Sequence, residues 1–221
     1  TLIELMIALV IGLLATGAML KVYVDSSRLY RFNEGLARIQ ENGRFATEFI
    51  RRDARVAGFW GCNHGASLTN RINPETDYPD ITGTNNDGLN EADSITFSGA
   101  GNSVATVSSN MTTPDSDIPI SSTENFELGE ALLISDCETA DIFQLTSIGG
   151  SSPSLTLEHD AELSKAYAAG STLYRVQQTT FCIAEGADPA QPSLRQLVNP
   201  TSVQTCQDHG DELVEGIENM Q

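Results

Sequence analysis

The chain has 221 residues and a formal net charge of −18, with 12 Lys and Arg residues against 30 Asp and Glu residues. This length allows one sizeable core, or a long element plus one domain of about 150 residues. Proteins that bind nucleic-acid phosphates need clustered basic residues, so the acidic balance argues against a nucleic-acid partner.

The charge is distributed unevenly along the chain. Residues 1–60 hold eight basic and six acidic side chains, whereas the remaining 161 residues hold four basic and 24 acidic ones. Such a break near residue 60 indicates two physically different parts. We therefore expect a helical N-terminal part, residues 1–57, and a β-rich globular domain, residues 58–221.

The first twenty residues, TLIELMIALVIGLLATGAML, are apolar apart from a few hydroxyl groups and the carboxylate of Glu4. A helix of this length measures roughly 30 Å, which matches the hydrocarbon thickness of a bilayer, so the segment is predicted to span a membrane. A signal peptide is the alternative. Its apolar core is shorter and follows a basic stretch, whereas the first basic residue here, Lys21, comes afterwards.

The helical pattern continues beyond Lys21 in an amphipathic form. Apolar residues recur there at three- and four-residue spacing, at Leu29, Phe32, Leu36, Ile39, Ala46, Ile50 and Ala57. We predict one continuous helix that ends at about Ala57. Glycine costs about 1 kcal/mol relative to alanine in a helix, so the glycines of this segment indicate close helix approaches or are merely tolerated. They are Gly12, Gly17, Gly35 and Gly43.

From Gly58 onward, short β-rich runs alternate with Gly, Asn, Asp, Ser and Pro, a pattern typical of an antiparallel sheet. The predicted strands are Ser94–Phe97, Val104–Val107, Ala131–Ser135, Ile142–Ile148, Ser154–Leu157, Thr172–Val176 and Leu194–Val198. The polar stretches at 69–93 and 108–125 are predicted to be long surface loops. Near the C-terminus, Leu213, Val214, Ile217 and Met220 have helical spacing.

The chain has four cysteines, and none of them belongs to a C-x-x-C pair. An even number after a membrane-directed segment indicates two disulfides formed in an oxidising compartment, for which three pairings exist. We favour Cys62–Cys137, which would tie the helix exit to a strand, together with Cys182–Cys206, which would enclose the 194–198 strand.

Motifs for catalysis or metal binding are weak. The residues Cys62, His64, Cys206 and His209 could supply four zinc ligands, but their spacing follows no known zinc motif. The loop TNNDGLNEAD (84–93) is rich in oxygen ligands, yet it fails the calcium-loop register. Neither a nucleophile elbow nor a phosphate-binding glycine loop occurs, so we predict no catalytic residue, no metal and no cofactor.

Three segments resemble a known family. Thr1, Leu2, Ile3 and Glu4, followed by LMIALVIGLL, resemble the mature N-terminus of type IV pilins and pseudopilins. The segments RLYRFNEGLARIQENGRFATEFIRRDARVAGFWGC (28–62) and DELVEGIENMQ (211–221) resemble PilW-like minor pilins. In that family a prepilin peptidase exposes a phenylalanine just before the Thr, and its amine is N-methylated. Its members usually continue beyond the equivalent of Gln221, so a C-terminal truncation is expected.

The resemblance implies an α+β pilin ladle fold, in which a long N-terminal helix packs on an antiparallel sheet with disulfide-bonded loops. It also implies a single-pass inner-membrane protein with a periplasmic domain, which then joins an extracellular filament of major and minor pilin subunits. In such filaments the glutamate matching Glu4 pairs with the N-terminal amine of a neighbouring subunit. The filament-core helix would include Leu2, Ile3, Leu5, Leu9 and Leu13.

The function that this resemblance implies is that of a structural and assembly subunit, a minor pilin of a type IV pilus. Several alternatives stay open. They are a type II secretion pseudopilin, a major filament subunit, an adhesin that binds through the loops at 69–93 and 108–125, and a membrane-tethered hydrolase.

Overall fold

A computed structural model describes residues 2–61, 67–72, 79–188, 191–199 and 204–221. The chain forms two compact units, residues 1–45 and 46–221. The long helix α1, Leu2–Ala54, contributes its first 44 residues to the first unit and its last nine to the second. The compact β-rich unit therefore starts at Ala46, whereas the sequence analysis placed the division at residues 57 and 58.

The helix α1 ends at Ala54, three residues before the end predicted from the apolar pattern. The backbone N–H groups of Val56 and Ala57 both donate to the carbonyl oxygen of Asp53, at 3.1 and 3.0 Å, so the last turn tightens. Gly58 follows with a φ of +74°, and a Cβ there would lie 2.6 Å from Oδ2 of Asp80. The chain therefore leaves the helix at a position that only glycine fits.

Within its described residues, the second unit contains ten strands. They are β1 Ser67–Asn70, β2 Ile81–Thr84, β3 Ser94–Val107, β4 Ile118–Ser121, β5 Ala131–Ser135, β6 Thr139–Ser151, β7 Ser154–His159, β8 Thr172–Glu185, β9 Pro192–Val198 and β10 Asp211–Glu215. A single helical turn, α2 Cys206–His209, precedes β10, and Leu89–Glu91 forms a 3-10 turn. These strands join in one sheet.

Six strands of this sheet close into a barrel. The pairings run β8, β5, β6, β7, β4 and β3, and β3 returns to pair with β8. Leu173 of β8 lies between Ile134 of β5 and Ala105 of β3, which marks the closure. The interior is filled by buried side chains of all six strands, among them Ile118, Phe143 and Leu157.

The remaining strands extend the sheet beyond the barrel. The last turns of α1 pack on the part of the sheet formed by β2, β3, β8, β9 and β10. A second apolar cluster fills this contact. Ala46 is buried there, and Phe49 and Ile50 pack against Phe97 and Phe181 of the sheet. The buried Asp53 carboxylate also accepts from Nε2 of Gln196 on β9 at 3.1 Å, which fastens the end of the helix to the sheet.

These observations confirm an α+β layout in which one long N-terminal helix accompanies a largely antiparallel sheet. Ala131–Ser135 is a strand as predicted, and the predicted strands 94–97 and 104–107 are the two ends of the single strand β3. Among the described strands, β1 and β6 pair in parallel.

Two sequence predictions on local structure were wrong. The predicted loop at 69–93 contains β2 and the end of β1, and the predicted loop at 108–125 contains β4. The apolar residues of β4 are separated by a proline in the short run Ile-Pro-Ile, which hid the strand. The C-terminal stretch with helical spacing begins as the edge strand β10, because pairing with β9 outweighs its helical periodicity.

Cys182 and Cys206 form a disulfide with a Cα–Cα distance of 6.1 Å, which joins β8 to α2. This bridge links the two cysteines that the sequence analysis paired. The second predicted bridge, Cys62–Cys137, involves Cys62, which lies outside the described residues.

Replacing both Cys182 and Cys206 with alanine should lower the free energy of unfolding by about 3 kcal/mol, because the bridge closes a loop with a sequence separation of 24. Chemical denaturation of the full chain measures this loss. Under a reductant the variant and the wild type should become equally stable, since the wild type then also lacks the bridge. A variant as stable as the oxidised wild type would contradict this role.

Candidate assembly surface

The first unit exposes a continuous apolar surface along α1. Its helix is long and apolar enough to cross a membrane. The five predicted filament-core residues are all exposed, from 62% for Leu9 to 81% for Leu2. The others are Ile3, Leu5 and Leu13. Monomeric soluble proteins rarely expose apolar surface of this extent, which is typical of lipid-facing or protein-facing helices.

Glu4 lies in the first turn of α1, and its side chain is exposed. The free N–H groups at a helix N-terminus carry partial positive charge, so an anion in the first turn is favoured there. Its position places a carboxylate at the end of the apolar surface rather than in its middle. The cost of inserting this charge into lipid is therefore lower than at the bilayer centre.

Four glycines of α1 have open space around them. No described atom other than local helix backbone lies within 4 Å of a Cβ built at Gly12, Gly17, Gly35 or Gly43. Packing within the described chain therefore gives no reason for a missing side chain at these positions. The packing explanation that remains for these glycines is the close approach of another helix.

From residue 61 onward the second unit presents an acidic surface, because the four basic side chains of this part have partners within the unit. Nε of Arg71 lies 3.0 Å from Asp141, and Nζ of Lys165 contacts Asp136. Arg175 pairs with Glu130. The guanidinium of Arg195 donates to three backbone carbonyl oxygens, those of Glu185, Gln207 and Gly210. Partners that approach this unit therefore meet mainly carboxylates.

The fully buried carboxylate of Asp141 organises a polar cluster in the second unit. Oδ1 accepts from Nε of Arg71 at 3.0 Å and from Oγ of Ser164 at 2.7 Å. Oδ2 accepts from the backbone N–H of Ser164 and from the hydroxyl of Tyr167, both at 2.8 Å. With four donors the carboxylate has no capacity left for a substrate, so the cluster is structural.

Two titratable groups near this cluster have shifted pKa values. Burial raises the pKa of the Tyr167 hydroxyl, and the negative charge of Asp141 raises it further. Burial alone would raise the pKa of the Asp136 carboxyl, but hydrogen bonds from Lys165 and from the backbone N–H groups of Thr139 and Glu138 outweigh it and lower that pKa. Asp136 is therefore charged at neutral pH and holds Lys165.

The metal alternatives gain no support from the described residues. Cys206 is in a disulfide and so supplies no thiolate, and His64 lies outside the described residues. In the loop at 84–93, Asp87 accepts from the hydroxyls of Thr84 and Ser94. Asp93 accepts from the backbone N–H of Asn86. Across the part of the chain that the structure describes, no three His, Cys, Asp or Glu side chains are placed to hold a metal ion.

Comparisons with protein-family models, with curated proteins and with solved structures found no match to this chain. The resemblance to type IV pilins therefore depends on the quoted sequence segments alone. The physical case for a function depends on the exposed helix surface, on Glu4 and on the acidic sheet unit.

Sequence reasoning missed the role of Asp141. The residue immediately precedes the predicted strand Ile142–Ile148 and lies within β6. Its side chain points into a buried cluster whose members are distant in sequence, with Arg71 70 positions away and Tyr167 26. The only signal was a single acid beside an apolar strand, which is too common to mark a buried carboxylate.

Replacing Asp141 with alanine should lower the free energy of unfolding by about 3 kcal/mol or more, because Arg71 and Tyr167 would lose a buried partner. Urea denaturation measures this. Asp211→Asn, at an exposed carboxylate, is the control and should change stability by less than about 0.5 kcal/mol. An Asp141 variant no less stable than this control would contradict the structural role.

Proposed function

We propose that this protein is a structural and assembly subunit of a type IV pilus. It would be a minor pilin that resides in the inner membrane before it is incorporated into the filament. The observation that carries the proposal is the apolar length of α1, with its leucines exposed and an acid in its first turn. Such a helix needs an apolar environment, which lipid supplies before assembly and neighbouring helices supply afterwards.

The position of Glu4 supports a contact between subunits. A carboxylate moved from a membrane interface into a bundle of apolar helices loses its hydration, and a positive partner offsets this cost. In the proposed filament that partner is the N-terminal amine of a neighbouring pilin. The contact fixes the axial position of one helix relative to the next, because a displaced carboxylate would be buried without its partner.

The sheet unit suits the periplasm and the cell exterior. Its disulfide between Cys182 and Cys206 requires an oxidising compartment. Its carboxylates, with the four basic side chains beyond residue 60 already engaged, favour solubility and neighbours with basic or neutral surfaces. The pseudopilin of a type II secretion system is built on the same plan and is the nearest alternative, which the genomic neighbourhood of the coding sequence would distinguish.

Glu4→Ala should insert into the inner membrane normally but reach the sheared-filament fraction at least about tenfold less, because the cost of burying the neighbouring amine is no longer offset. Membrane fractionation and immunoblotting of sheared filaments measure the two steps. Glu34→Ala, at another exposed acid of α1, is the control and should assemble normally. Normal assembly of the Glu4 variant would contradict the proposed contact.

Gly12→Ala and Gly17→Ala should leave the isolated helix intact or slightly more stable, since alanine favours helix by about 1 kcal/mol and no described atom opposes a Cβ there. If neighbouring helices approach at these positions, the double variant should enter filaments less than the wild type does. Circular dichroism of the detergent-solubilised chain and recovery in sheared filaments separate the two effects. Unchanged recovery would show that the glycines are merely tolerated.

A further inference from the structure

The imidazole of His159, at the end of β7, lies between two backbone carbonyl oxygens. Nδ1 is 2.7 Å from the carbonyl oxygen of Ala161, and Nε2 is 3.2 Å from that of Ser116. Carbonyl oxygens only accept hydrogen bonds, and a neutral imidazole has one N–H donor. The neutral ring therefore directs one lone pair at an oxygen, whereas the protonated ring donates to both oxygens.

The two carbonyl groups belong to segments that cover one end of the barrel. These closing loops, residues 108–117 and 160–171, insert Met111, Leu163 and Tyr167 into the barrel interior. They also bond to each other, since the N–H of Leu163 donates to the carbonyl of Pro114 and that of Met111 to the carbonyl of Tyr167. His159 is placed to add a further link between them.

The charged side chains on the elements around the ring are mostly acidic. Asp115 and Asp117 lie on the first closing loop, Glu158 on β7, and Asp160 and Glu162 on the second loop, whose Lys165 is paired with Asp136. On β6 the ring meets Phe143, with 5.7 Å between centroids. The pKa of the Asp115 carboxyl is lowered, chiefly by a hydrogen bond from Thr113 and in smaller part by charge on His159.

We propose that protonation of His159 fastens the two closing loops together, which gives the protein a pH-sensitive clasp at one end of the barrel. Imidazole changes its charge between about pH 5 and 8. In acid both ring nitrogens donate and the link to Ser116 is made. As the pH rises the ring becomes neutral, keeps the shorter contact with Ala161 and loses the longer one with Ser116. Loop 108–117 is then held less firmly.

Hydrogen exchange of the full chain in detergent micelles tests the clasp. After correction for intrinsic exchange rates, protection of segment 108–117 should be about tenfold greater at about pH 5 than at about pH 8, the effect of one charge-assisted hydrogen bond. In His159→Gln this difference should disappear. In His209→Gln, at an exposed histidine of α2, it should persist. A pH dependence that survives in His159→Gln, or one absent from the wild type, would overturn the proposal.

A measurement on the wild type avoids any loss of folding in the variants. With ¹⁵N-labelled histidine, both ring nitrogens of His159 should show the shifts of protonated nitrogen at about pH 5, and Nε2 should become unprotonated at about pH 8 while Nδ1 keeps its proton. The amide signals of 116 and 117 should move in the same pH interval. A ring that titrates while those amide signals stay fixed would also overturn the proposal.

Discussion

The pairing of β3 with β8 is the contact on which the second unit depends. These two strands of 14 residues run side by side for most of their length, and each serves two structures. Their halves near Val104 and Leu173 close the barrel, while their halves near Phe97 and Phe181 form the platform for α1. Without this pairing the barrel would not close, and the last turns of α1 would have no sheet surface to pack on.

The small residues in the middle of β3 allow this double use. The register of β3 against β8 shifts between Ala100 and Ser103, which lie between the half of β3 near Phe97 and the half near Val104. At the same place the chain leaving α1 passes close by, with the N–H of Ala100 donating to the carbonyl of Phe59. A Cβ at Gly99 would lie 3.1 Å from the carbonyl oxygen of Val56, so a larger residue would push the helix exit away.

The predictable parts of this protein are those governed by local pattern. The helix, the strand Ala131–Ser135 and the ends of β3 follow from apolar periodicity over a few residues. Barrel closure and the buried carboxylate of Asp141 depend on partners far apart in sequence, and a single sequence does not reveal which distant segments pair. The role proposed for Glu4 is of a third kind, since it would concern contacts between chains and is expected only through the resemblance to pilins.

The long separation between β3 and β8 also has a kinetic consequence. Thr96 and Thr180, which face each other across the pairing, are 84 positions apart. Contacts of such high contact order form slowly, because the loss of chain entropy precedes the gain from pairing. Since β8 follows the other five barrel strands in sequence, the barrel closes only after the residues up to Glu185 have been synthesised. Until that strand is available, the nascent chain exposes unpaired strand edges and apolar surface to chaperones and proteases.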